Sequence, residues 1–179
     1  MQGGPRLVVV GHSQGGVIAR AYLRFHGGAD ASNPLGNKVS RVVTMAATNH
    51  GTTLSSLATL ADQLGILNLT PAALGQAAVD QMQGSEYITA LTADGDTVPG
   101  VDYTVIGTKY DEVVTPYRST FLTAGPGATV RNITVQDGCA IDFSDHLSIT
   151  HSPRVIDITK RALRANGSGT LRCLPNAPV

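Results

Sequence analysis

The chain has 179 residues, 13 basic and 13 acidic, and no formal net charge with its histidines neutral. A 42% hydrophobic share against 15% charged residues argues against disorder. The length suggests one domain whose core removes roughly 70% of the unfolded surface from water. The balanced charge and low aromatic content (five Tyr, three Phe, no Trp) leave no basic footprint, which argues against a nucleic-acid partner. The apolar stretches fall short of the ~20 residues of a membrane-spanning helix. The opening Met1-Gln2-Gly3-Gly4-Pro5-Arg6 lacks the basic region and apolar core of a secretory signal.

Leu7–Val10 is a β-branched run ending in Gly11, the pattern of a parallel strand buried on both faces. Gly15–Phe25 places Val17, Ile18, Tyr22 and Phe25 at helical spacing and stops at Gly27-Gly28. A turn-rich segment, Ser32–Asn37, leads to a second strand at Val39–Met45. From Leu54 to Leu91 the composition turns to Ala, Leu and Gln, with Gly breaks at 65, 75 and 84. Thr70 before Pro71 and Ser85 before Glu86 mark helix starts, so two or three short helices are predicted here. Strand runs follow at Tyr103–Gly107 and Val130–Gln136, then a last helix over Pro153–Arg164. This order predicts an α/β layer architecture with a mainly parallel sheet flanked by helices. We read residues 1–179 as a single domain, with a helical cap or lid-like segment at about 54–93.

Gly11-His12-Ser13-Gln14-Gly15-Gly16 lies between the first strand and the first helix and fits G-x-S-x-G, the nucleophile elbow. A serine in such a turn is strained, and small residues two before and two after it prevent clashes. Its hydroxyl projects above the sheet edge, and the following helix turns its positive end toward a developing oxyanion. Ser13 is the candidate nucleophile, and the amide of Gln14 a candidate oxyanion donor.

Such a serine needs a base and an acid on loops after later strands, in the chain order serine, acid, histidine. His146, in Ser144-Asp145-His146-Leu147-Ser148, follows the last strand and is preferred as base over His151, which adjoins Ser152-Pro153 and suits helix entry. His12 is held inside the turn, His26 sits at a helix end, and His50 suits either the site rim or a loop-holding role. Asp111, shortly after the third strand, is the candidate acid, with Glu112 its nearest substitute. Asp94 and Asp96 precede that strand. Asp137, Asp142 and Asp145 are read as surface groups.

Two cysteines remain. A Cys139–Cys173 bridge would pin the histidine loop to the C-terminal tail and suit an oxidising compartment, while two free thiols are the alternative. They lack the histidine spacing of a zinc site. N-x-[ST] matches at Asn68, Asn132 and Asn166 carry no weight without a known source.

Together, G-H-S-Q-G-G after Val8-Val9-Val10, Asn49-His50-Gly51-Thr52-Thr53, Gly95-Asp96-Thr97-Val98-Pro99-Gly100 and Tyr110-Asp111-Glu112-Val113-Val114-Thr115-Pro116-Tyr117 resemble the secreted bacterial triacylglycerol lipases of the α/β-hydrolase superfamily, most closely the actinobacterial type. The resemblance covers nearly the whole chain but only the C-terminal two thirds of the family's domain. It implies an α/β-hydrolase fold, N-terminally shortened, with Ser13, Asp111 and His146 as triad and a Cys139–Cys173 disulfide. It further implies hydrolysis of acylglycerols and simpler fatty esters without an organic cofactor, contact with a lipid interface, and an extracellular location. No carboxylate cluster supports carrying over the calcium site of some bacterial lipases, so no metal is expected. Family members begin with a strand ending in an H-G loop that supplies another oxyanion donor, whereas ten residues precede Gly11 here. Leu7–Val10 is therefore expected to form an apolar edge, paired in a homo-oligomer with a second copy. The alternatives to ester hydrolysis are an impaired hydrolase fold serving binding or assembly, and acyl transfer to another alcohol by the same triad.

Overall fold

The computed structural model describes residues 6–63, 65, 75–164 and 167–179. Strands β1 (Leu7–His12), β2 (Val39–Met45), β3 (Asp102–Gly107) and β4 (Thr129–Thr134) form one sheet in the order β1-β2-β3-β4, and every neighbouring pair is parallel. The helices are α1 (Gln14–Phe25), α2 (Leu54–Gln63), α3 (Gln76–Asp80), α4 (Glu86–Thr92) and α5 (Pro153–Leu163). The expected helix start at Thr70-Pro71, and Asn68 and Asn166, lie outside the described residues. Among the described residues no helix is long and apolar enough to cross a membrane.

Both faces of the sheet are covered, because successive residues of each central strand point to opposite sides. Val42 of β2 and Tyr103 and Val105 of β3 pack with Ala19 and Leu23 of α1. Their neighbours Val43 and Ile106 turn the other way, against Val155 and Ile158 of α5. The adjacent apolar pairs Val42-Val43 and Val105-Ile106 are thus what two-sided burial requires. β1 differs: it is an edge strand, and Leu7 and Val10 stay exposed.

Local signals explain most boundaries. α1 ends where the His26 amide donates to the Tyr22 carbonyl and Gly27 takes φ 71°. α4 begins at Ser85, whose hydroxyl accepts from the Ile88 amide, and its Ile88 and Leu91 are buried against Val17 and Ala21 of α1. Ser152 caps α5 by accepting from the Val155 amide, with Pro153 in the first turn. β4 stops at Thr134, two residues before the expected end, and Val135–Asp137 form a 3-10 turn instead. The cause is Gln136, which turns inward. Its amide nitrogen donates to Thr108 Oγ1 and the Asp142 carbonyl at 2.9 Å each, and its oxygen accepts from the Lys109 amide at 2.9 Å. A buried amide needs those partners more than the last ladder bonds.

The C-terminal tail returns over the segment between β4 and α5. Cys139 and Cys173 are bonded, and Asn176 Nδ2 donates to Ser144 Oγ at 2.9 Å and to the Ser148 carbonyl at 3.0 Å. Arg172 grips Asp157 of α5 through two contacts of 2.8 Å, which hold that carboxyl down at about 2.

The cysteines are 34 residues apart, so replacing both by alanine is expected to cost about 4 kcal/mol on the chain-entropy account. A thermal melt should then show a drop of roughly 8–16 °C for a chain of this size.

Candidate active site

All four strands run the same way, so the segments leaving their carboxyl ends gather on one edge of the sheet, where α/β sheets carry their sites. Ser13 follows β1, Asn49 and His50 follow β2, Asp111 follows β3, and His146 follows β4.

Ser13 joins β1 to α1 with φ 51° and ψ −124°, a strained backbone that an L-residue seldom adopts. It occupies the N-cap position, yet its side chain makes no capping bond. Its Oγ instead lies 2.9 Å from His146 Nε2. The turn closes tightly: a Cβ on Gly11 would come within 2.5 Å of the Gly15 backbone, and one on Gly16 would run into Ala47 Cβ. A Cβ on Gly15 meets nothing within 4 Å. The steric demand therefore falls on Gly11 and Gly16, not on the second glycine of the G-x-S-x-G pattern.

His146 is fully buried, and its Nδ1 lies 3.0 Å from Asp111 Oδ1. That oxygen also accepts the amides of Val113 at 3.0 Å and Val114 at 2.7 Å. A carboxylate only accepts, so Nδ1 carries the imidazole proton. In the neutral ring Nε2 is then an acceptor, and Ser13 O–H donates to it. The structure brings Ser13, His146 and Asp111 into one hydrogen-bonded chain. Glu112 stands aside, accepting from Gln63 Nε2 at 2.7 Å and from the His146 amide at 3.4 Å. His151 is exposed beside Thr150. Gln14 is the first residue of α1, with its amide at the positive end of the helix beside Ser13.

Two of the aspartates read as surface groups are buried staples of the histidine loop. Asp142 accepts from the Ser144 amide at 3.0 Å, from the Ser144 hydroxyl, and from the Ser152 hydroxyl at 2.5 Å. Asp145 accepts from the Leu147 amide at 3.1 Å, from the Ser148 amide and hydroxyl at 2.7 Å each, and from the Val179 amide at 2.7 Å. Burial raises the Asp145 pKa, but the bonds from Ser148, Val179 and Leu147 outweigh it and leave the carboxyl below its ordinary value. The neighbouring serines are the signal in the sequence, since serine hydroxyls and amides two or three residues on are local partners for aspartate. Asp137 does lie at the surface, paired with Lys109 at 2.8 Å.

A second polar cluster joins the segments after β2 and β3 to the one before β3. His50 Nδ1 lies 2.7 Å from the Ser119 carbonyl, and Nε2 lies 2.9 Å from Asp96 Oδ1. Both partners can only accept, so both ring nitrogens donate and His50 is an imidazolium. The Asp96 bond lifts its pKa above the ordinary value against the opposing effect of burial. Asp96 Oδ2 accepts from the Thr123 amide at 2.8 Å. Arg20 of α1, buried and held down to about 10 by that burial, donates to the Asn49 carbonyl at 2.7 Å and lies 3.6 Å from Asp96. Asp96 precedes β3 in sequence, but its side chain reaches the loop after β2, a pairing that spacing did not reveal. Among the described residues no three His, Cys, Asp or Glu side chains are grouped to hold a metal ion.

Residues 3–158 match the sequence profile of the family described as Lipase (class 2). No curated protein matches the chain. Among solved structures, lipase B of Aspergillus fumigatus superposes with a TM-score of 0.66 at 20% identity, over 88% of this chain and 36% of that one. The chain therefore spans about a third of that lipase's length, and the superposition identifies the α/β-hydrolase fold. Two looser matches are the mature lipase BlEst2 of Bacillus licheniformis (TM-score 0.44, 20% identity, 73% of this chain and 58% of that one) and phospholipase PlaB of Legionella pneumophila (0.42, 23%, 59% and 23%).

Gly11→Ala and Gly16→Ala are each expected to cost about 1–3 kcal/mol, while Gly15→Ala leaves stability unchanged or raises it by up to about 1 kcal/mol through helix propensity. Chemical denaturation of the three variants checks this order. For His50, whose pKa is raised above 6.5, stability is complete below that pH and falls as pH rises through the folded value. The melting temperature should show that fall in the parent chain and lose it in His50→Gln.

Proposed function

This chain belongs to the class 2 lipase family, and on that premise we propose that it hydrolyses fatty acyl esters through an acyl-enzyme on Ser13. The observation that carries the reading is the chain Ser13–His146–Asp111, with contacts of 2.9 Å and 3.0 Å at the carboxyl edge of the sheet. In the first step Ser13 Oγ bonds to the ester carbonyl carbon, and its proton passes to His146 Nε2. Asp111, oriented by the Val113 and Val114 amides, accepts from Nδ1–H and stabilises the imidazolium. The carbonyl oxygen takes the negative charge and accepts from the Gln14 N–H at the start of α1. The tetrahedral adduct collapses, the C–O bond to the alcohol breaks, and the leaving alkoxide takes the proton from Nε2. Water then attacks the acyl-serine with His146 as base, releasing the acid and restoring the Ser13 hydroxyl.

A cavity of about 180 Å³ lined by Gln14, Val17, Ile18, Ala77, Asp80, Gln81 and Tyr87 lies next to the elbow. The Cys139–Cys173 bond supports an extracellular, oxidising setting.

With p-nitrophenyl butyrate, Ser13→Ala is expected to lower turnover roughly 10³–10⁶-fold. A fluorophosphonate should add once to the parent chain by intact mass and not at all to Ser13→Ala. Equal hydrolysis by the two proteins would overturn the assignment.

A further inference from the structure

Ser13 and His146 stand 133 residues apart in the chain, and the side chain just before Ser13 joins the two segments a second time. His12 Nε2 lies 2.7 Å from the carbonyl oxygen of His146. A carbonyl only accepts, so His12 holds its proton on Nε2 and donates it. The two imidazoles stand 5.1 Å apart between centroids, tilted by 47°. Neighbouring residues of one strained turn thus grip the same histidine, Ser13 by its ring and His12 by its main chain. Another main-chain contact of His146, its amide to Glu112 at 3.4 Å, is much longer.

We propose that His12 is a positioning residue, whose Nε2–H holds the His146 carbonyl and so keeps the imidazole within proton-transfer distance of Ser13. The inference rests on the reading of Ser13 as nucleophile and His146 as its base. The consequence is geometric. The His146 peptide is the pivot about which its ring swings, so releasing the carbonyl lets Nε2 drift from Ser13 Oγ while Asp111 still holds Nδ1. A drift of about 1 Å is enough to cost roughly 10²-fold in rate.

The charge state suits the task. Burial keeps the His12 pKa below its ordinary 6.5, against the opposing effect of the bond to the His146 carbonyl. The titratable groups facing the ring are His146, which when protonated disfavours a proton on it, and Asp111, which favours one. At neutral pH His12 is therefore an uncharged donor. It can hold His146 without repelling the positive charge that His146 acquires when it takes the serine proton.

The test compares His12→Phe, which keeps a ring and loses the donor, with His12→Gln, whose side-chain N–H reaches about as far as Nε2. On p-nitrophenyl butyrate His12→Phe should lower kcat about 10–100-fold at unchanged KM, and His12→Gln should recover most of the loss. A His12→Phe variant within twofold of the parent kcat overturns the proposal, as does a His12→Gln variant no better than His12→Phe. Either result beside an inactive Ser13→Ala variant leaves the nucleophile assignment intact, whereas a fully active Ser13→Ala variant removes that assignment and this proposal together. A readout independent of turnover is the nitrogen NMR of the imidazoles in the parent chain. A neutral Nε2–H tautomer for His12 at pH 7 is expected, and an Nδ1–H tautomer overturns the proposal.

Discussion

His146 is fully buried, and a buried imidazole must find partners for both ring nitrogens inside the protein. That constraint organises the edge of the sheet where it lies. Asp111 satisfies Nδ1 from the segment after β3, and Ser13 satisfies Nε2 from the turn after β1. Each partner is itself held. Asp111 is fixed by two amides of its own turn, and Ser13 by a backbone that forgoes helix capping to aim its hydroxyl across the edge. No member of the chain can relax alone without leaving another polar group in the interior unpaired.

Support for this chain comes from polar groups of the surrounding loops. Asp142 and Asp145 pin the loop that carries His146, and the tail clamps it through Cys173 and Asn176. On the other side, the imidazolium of His50 joins Asp96 and the Ser119 carbonyl, tying the segments after β2 and β3 to the one before β3. Arg20 connects this cluster to the helix that follows Ser13. The apolar layers on both faces of the sheet fix where the strand ends lie, and the buried polar network fixes how the loops leave them.

The strand and helix pattern was legible because it depends on local properties. Val39–Met45 reads as a strand and is one, whereas Leu7–Val10 reads as a doubly buried strand and is a partly exposed edge, and Ser85 reads as a cap and accepts the Ile88 amide. The end of β4 was not legible, since it depends on Gln136 finding partners at Thr108 and Asp142. The buried roles of Asp142 and Asp145 were missed for a related reason. An aspartate in a polar loop looks solvated until the tail packs over it. The pairing of Asp96 with His50 joins residues 46 positions apart and has no spacing to betray it.

What the sequence determined by itself is the set of residue types and their chain order: a serine in a glycine turn after an apolar strand, an aspartate after the third strand, a histidine after the fourth. Residue types and the alternation of strand, turn and helix are written in short stretches of chain, so these can be read there. Tertiary structure alone decided which atoms meet. It set the two contacts of His146, joined Cys139 to Cys173, and moved the steric demand from Gly15 to Gly16. It also brought the ring of His12 to the carbonyl of His146. The physical reason is that hydrogen bonds form over about 3 Å, a tolerance that only the packed positions of distant segments can meet.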